Sequence, residues 1–270
     1  MIDLSGVEGI LGEIGRRSQE RVNIESLKKS QSWLKDYRLS GFVPKDFAAN
    51  LRKNSLNVIA EVKKASPSKG EIAPNINPVD VASQYLSHGA SALSVLTEPD
   101  YFKGDISYLR DIREAFPDAY ILMKDFFVDP YQLHQALWAG ADAILIIVAL
   151  LGRDGSQGMY YRAKELGLTP LVEVHDEREL RIALDMGASL VGINNRNLKD
   201  LSISLSTTER LIKNINSSSV TVIGESGIKS RQDLLRLKGA GCNGFLVGSS
   251  LMESGSPGES LARLLSEEEK

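Results

Sequence analysis

The chain has 270 residues, 42% of them hydrophobic and 25% charged, with a net charge of −3, a composition that suits a globular protein with a substantial core. That acidic balance excludes a surface built for nucleic acid or anionic membrane, whose partners select a basic face. The lone Cys242 cannot close an internal disulfide, no cysteines stand at metal-ligand spacing, and the longest apolar run, 143–151, is too short to cross a bilayer.

In chain order, residues 1–54 read as helical, with Ile10, Leu11 and Ile14 at helical spacing and Leu27 and Trp33 further on. This segment is expected to pack as an extension on the remainder of the chain, so that 1–270 form a single domain. Arg16 and Arg17 sit among acidic residues, unlike a transit peptide, and no basic start precedes an apolar stretch, so the cytoplasm is the expected compartment. At the other end, the charged tail 266–270 is expected to fray into solvent.

The first strand, 58–62, places Glu61 and Lys63 two residues apart, hence on one face, at the end of an apolar run. A polar loop, Ser66-Pro67-Ser68-Lys69-Gly70, comes directly after it. Unpaired burial of either charge is costly, so this junction reads as part of a site. Further on, helical patterns at 78–87, 106–115, 158–166, 207–215 and 230–237 alternate with strands at 120–123, 170–174 and 220–224. Four more strands each start after a repeated helix-closing glycine, at Gly89, Gly140, Gly187 and Gly241, about every 50 residues.

Eight strands alternating with helices imply a parallel sheet with right-handed crossovers. An open doubly wound sheet is the competing arrangement, but eight units in about 220 residues favour a closed (β/α)8 barrel. In a barrel, chemistry collects at the carboxyl ends of the strands. Those ends carry Glu61 and Lys63, Lys124-Asp125, Glu173, Asn194-Asn195-Arg196 and Glu225-Ser226. Each charge alone suits a structural ion pair; three glutamates and two lysines together suit acid and base catalysis.

Gly224 and Gly227 after the seventh strand, and Gly248, Ser249 and Ser250 after the eighth, match the loops that bind phosphate through backbone N–H groups. Ser66 and Lys63 could meet the same phosphate. Phe102 and Phe126 stand in loops after strands two and three, where an aromatic can stack on a flat ring. His175 stands close enough to Glu173 to reach the site, whereas His88 and His134 read as surface residues, and Trp33, Trp138 and Cys242 as packing.

The motifs 59–70, Lys124-Asp125-Phe126, Leu171-Val172-Glu173-Val174-His175, Gly192-Ile193-Asn194-Asn195-Arg196 and Gly224-Glu225-Ser226-Gly227-Ile228 resemble those of the indole-3-glycerol phosphate synthase family. The resemblance spans all eight strands and includes the helical extension. It implies ring closure, decarboxylation and dehydration of 1-(2-carboxyphenylamino)-1-deoxyribulose 5-phosphate in tryptophan synthesis, with no metal and no organic cofactor.

It further implies Lys124 as general acid at the ketone, Glu173 as base or acid of the dehydration, and Glu61 and Lys63 as catalytic neighbours. Asn194, Glu225 and Ser226 would orient these groups, and Glu225 would also hold a lysine. Arg196 would lie near the substrate carboxylate, and the phosphate on Gly227, Gly248 and Ser249, helped by Ser66. The ring would rest among Phe102, Phe126 and Leu246. A phosphorylated small molecule is then the partner of a monomer, with other tryptophan-pathway enzymes as possible associates. A phosphoribosylanthranilate isomerase-like barrel and a non-catalytic phosphate binder are the rival readings; the first wants a Cys and Asp pair at strand ends, the second has no use for three glutamates round an anion.

Overall fold

A computed structural model describes residues 2–36, 41–52, 56–198 and 200–266. Eight parallel strands, β1 (Asn57–Val62), β2 (Ala92–Leu96), β3 (Ile121–Lys124), β4 (Ala143–Ile147), β5 (Thr169–Val174), β6 (Leu190–Asn194), β7 (Thr221–Glu225) and β8 (Gly244–Val247), pair in sequence order. β8 closes on β1 with Asn57 opposite Gly244 and Ala60 opposite Val247, so the expected (β/α)8 barrel forms and the open sheet does not. Strands flanked by helices are covered on both faces; all six residues of β1 and all five of β4 are buried accordingly.

The four repeated glycines close helices as expected, Gly89, Gly140, Gly187 and Gly241 all adopting positive φ of 93, 90, 80 and 116°. Helices run Pro78–Ser87 and Ile106–Ala115, as their patterns predict. Asn77 and Asp105 cap them by accepting hydrogen bonds from the N–H groups of Val79 and Ser107. The helix expected at 158–166 differs from its reading: the strand after Gly140 fills 143–147 as expected, but the rest of the apolar run already belongs to a helix, Val148–Glu165, which starts ten residues early and bends at Gly152, where φ is 64°. Periodicity could not separate a buried strand from the buried helix that continues it.

Helix α1 (Gly9–Lys28) leads the extension and buries Leu11, Ile14, Ser18 and Val22. Gly15 lies against Leu150, with no room for a side chain between them. Leu27 departs from expectation and is 89% exposed, on the outer face of a helix end that stays docked through Glu25 with Gln135 and Lys29 with Tyr131. Trp33 and Trp138 pack together, ring centroids 6.3 Å apart, with the Lys29 ammonium over both. Buried Cys242 is also a packing residue and His88 is exposed, but His134 is half-buried instead of lying on the surface. Of the expected frayed tail, 267–270 lie outside the described residues, as do Met1, 37–40 and 53–54 of the extension.

Candidate active site

At the carboxyl ends of the strands a cavity of about 770 Å³ opens, and its lining includes every residue expected to catalyse or to bind substrate. Glu61, Lys63, Lys124, Glu173, Asn194, Glu225 and Ser226 reach it, as do Ser66, Phe102, Phe126, Arg196, Gly227, Leu246, Gly248 and Ser249. The period of two along each strand explains the convergence. Glu61, Lys124, Glu173 and Glu225 stand on the four odd-numbered strands at inward positions, and alternate strands of a barrel contribute one interior layer. Such layers are usually branched apolar residues; this one is charged throughout.

Lys124 is the centre of that layer. Its Nζ lies 2.8 Å from Glu225 Oε2 and 3.7 Å from Glu173 Oε2. Burial opposes its charge, yet Glu225, Glu173 and Glu61 together raise its pKa and hold it as an ammonium. Lys63 pairs instead with Glu61, Nζ to Oε1 at 2.8 Å. Burial would raise the Glu61 carboxyl, but Lys63 and Lys124 hold it below the ordinary range.

The three carboxylates are not equivalent. Burial alone would raise Glu173, but the His175 ring and the Lys124 ammonium hold it down at about 2. His175 Nε2 lies 3.4 Å from Glu173 Oε1, while its Nδ1 lies 3.0 Å from Glu179 Oε2. Burial opposes its charge as well, and the two glutamates raise it to about 10. At Glu225, burial outweighs the pull of Lys124 and, with the negative charge of Glu173, pushes the carboxyl up to about 7. One ionised carboxylate, one that titrates near neutrality and one fixed ammonium thus share a small space, the separation that assigns acid and base roles.

Glycines make room for these charges. A Cβ at Gly192 would run into Glu225 Oε1, and one at Gly248 would meet Glu61. Gly248 therefore leaves room for the charged layer. Gly224 differs from its reading: a Cβ there would press on Leu237, which makes it a strand-to-helix packing glycine. Ser226 and Gly227 take positive φ of 64 and 85°, a strained turn for a serine. Asn195, buried, holds that turn by donating from Nδ2 to the carbonyls of Glu225 and Ser226 at 3.0 and 3.1 Å.

Two kinds of group share the cavity wall. The buried Ser66 hydroxyl has no partner among the described residues, and it shares the lining with Gly248, with Ser249 and Ser250 of the short helix Ser249–Met252, and with Lys69 and Lys229. Phe102 and Phe126, with centroids 5.9 Å apart, and Leu246 supply apolar lining. Asn194 Oδ1 accepts from the Arg196 N–H at 3.0 Å, fixing the start of the loop from which Arg196 reaches the lining. Sequence reasoning missed Ile10, Leu11 and Ile14 of α1, which line the cavity from the extension, and Leu145 and Ile147 of β4. Their apolar stripes read only as core.

Comparison with known proteins bears on the family and the fold. A family model described as indole-3-glycerol phosphate synthase matches residues 11–264. The proteins of that name from Ruminiclostridium cellulolyticum and Desulfotalea psychrophila are 40% and 47% identical, over 90% and 82% of this chain and 95% and 85% of theirs. A solved structure of the Pyrococcus furiosus tryptophan synthase complex superposes with a TM-score of 0.60 at 14% identity, over 77% of this chain and 97% of that one; this likeness concerns the fold alone. No described helix is long and apolar enough to cross a membrane. With the family model running almost end to end and relatives at this identity, the chain belongs to the indole-3-glycerol phosphate synthase family.

Proposed function

We propose that this chain closes the pyrrole ring of 1-(2-carboxyphenylamino)-1-deoxyribulose 5-phosphate, releasing carbon dioxide and water to give indole-3-glycerol phosphate. The observation that carries the reading is the charged odd-strand layer, Glu61, Lys124, Glu173 and Glu225, in a cavity whose lining also holds an unpartnered buried serine and an aromatic pair. A passive phosphate binder has no use for that layer, and the strand ends lack the cysteine of the Cys and Asp pair that the isomerase reading wants.

In the first step the ring carbon bearing the carboxylate bonds to the ketone carbon. Negative charge develops on the ketone oxygen, and the Lys124 ammonium stabilises it and delivers a proton. Carbon dioxide then departs, leaving its electron pair to restore the aromatic ring. In the dehydration, the new hydroxyl leaves as water with a proton from a site acid, while a carboxylate takes the proton from the adjoining methylene. Glu173, ionised at neutral pH, suits the base role, and Glu225, near 7, can hold a proton between steps.

Ser66, Gly227, Gly248 and Ser249 would take the phosphate, so that remote binding energy fixes the reacting end in place. Arg196 would meet the carboxylate before it departs, and Asn194 and Ser226 would orient their neighbours. The same reading has the enzyme working in the cytoplasm as a monomer, a single barrel domain with its helical extension. Incubating the purified protein with the carboxyphenylamino substrate and following indole fluorescence tests the proposal. Wild type is expected to develop the signal, and a silent wild type would overturn the reading.

A further inference from the structure

Away from the reacting charges, Arg21 of α1 joins the two loops that carry the aromatic pair. Its Nη2 lies 2.7 Å from Asp125 Oδ1 and its Nη1 3.7 Å from Glu98 Oε1. Glu98 is fully buried and accepts from the backbone N–H groups of Asp100, Tyr101 and Phe102 at 2.9, 2.8 and 3.0 Å. Asp125, also buried, accepts from the Phe126 N–H at 2.8 Å and from Thr97 Oγ1 at 2.6 Å. Glu98 thus holds the backbone at Phe102 and Asp125 that at Phe126, and one guanidinium lies between the two, hydrogen-bonded to Asp125 and in ion-pair range of Glu98.

Helical spacing puts this latch on the lining face of α1. Ile14, Ser18 and Arg21 stand at i, i+4 and i+7, and Ile14 lines the cavity. A second tie runs from Tyr101 Oη to Glu13 at 2.5 Å. A planar guanidinium reaches two carboxylates on separate loops at once, where a lysine offers a single point charge.

We propose that Arg21 is a positioning residue for the ring-binding end of the cavity: through Glu98 and Asp125 it sets the spacing of Phe102 and Phe126 and seats α1 over them. The inference rests on the proposed reaction for the identity of the ring. Because the latch touches none of Lys124, Glu173 or Glu225, its loss acts on binding of the aromatic portion and leaves the chemical step in place.

The test compares Arg21→Met, Arg21→Lys and Glu98→Gln with wild type, by steady-state kinetics and by calorimetry with two probes: indole-3-glycerol phosphate, which carries ring and phosphate, and glycerol 3-phosphate, which has no ring. Arg21→Met and Glu98→Gln are expected to raise KM and the product Kd about tenfold, the scale of one aromatic contact, with kcat within about twofold and glycerol 3-phosphate affinity unchanged. Arg21→Lys should recover only part of the loss. Equal weakening of both probes, or a fall in kcat at constant KM, would overturn the inference. Should Arg21→Met fail to fold, Glu98→Gln reads the same ring selectivity. A wild type that neither turns over substrate nor binds the product would instead break the reading of function.

Discussion

The two ends of the barrel both bury charge, and they treat it differently. At the amino end Arg113 and Asp142 are 3% and 0% exposed and pair at 2.6 Å. Arg113 also donates to the carbonyls of Gly140, Pro117 and Ala119, and Asp142 accepts from the N–H groups of Lys45 and Ile121. At the carboxyl end Glu61, Glu173 and Glu225 are buried too, but Glu225 Oε1 and the Ser66 hydroxyl have no hydrogen-bond partner among the described residues. A buried network with its valences filled holds a scaffold together. One with open valences beside a cavity is poised for a substrate, and its pKa values spread from about 2 at Glu173 to about 7 at Glu225.

Substitutions at the two ends should therefore fail in opposite ways. Lys124→Ala is expected to lower turnover on the order of 10⁴-fold, with Glu173→Gln costing about 10²-fold or more, while thermal unfolding shows both variants folded. Near-normal turnover in either would show that the open cluster is structural after all. At the amino end, Arg113→Ala strands Asp142 and should cost about 3–5 kcal/mol of stability, read by urea denaturation. Turnover per folded molecule should stay as in wild type.

Gly192→Ala makes a finer cut. A methyl group there displaces the Glu225 carboxylate from Lys124, so kcat should fall on the order of 10²-fold, against about 1–3 kcal/mol of lost stability from overpacking. If turnover survives, Glu225 does not need its place beside Lys124.

The smallest effect expected is in pH dependence. His175 is raised to about 10 in the folded chain from about 6.5 when unfolded, so the folded state binds its proton more tightly. Its contribution to stability is complete below about pH 6.5 and is lost as the pH climbs towards 10. Melting temperature should drop by a few degrees across that window, and His175→Gln should flatten the drop. The same variant should let the Glu173 carboxyl rise, moving the acid limb of the rate profile upward. An unchanged limb would mean that Lys124 alone keeps Glu173 ionised.

Much of the molecule was legible in one dimension because it obeys short periods. Alternation at two placed Glu61 and Lys63 on one face, and the closing glycines marked four strand starts with correct handedness. Fourteen positions named at strand ends and loops, and Leu246 named from the family resemblance, all reach one cavity, since a barrel gathers such ends by construction. Less legible were positions whose role is a matter of shape. Gly192 is needed for the volume of a carboxylate from a neighbouring strand, and Ile14 looks the same in sequence whether it covers core or substrate. Gly224 was assigned to the phosphate loop, yet it faces a helix, because a glycine's purpose depends on what stands opposite it.

Strand parity and helix closure are local rules, so the barrel, the end that bears the site and the residue types of its chemistry could all be read along the chain. Which lysine meets which glutamate could not. Lys63 is held by Glu61, and Lys124 by Glu225 and Glu173; the Lys124 pairings cross the barrel between strands, and no spacing in the sequence encodes them. Only the folded molecule makes Glu173 and Glu225 titrate apart, since burial and neighbouring charge act through space.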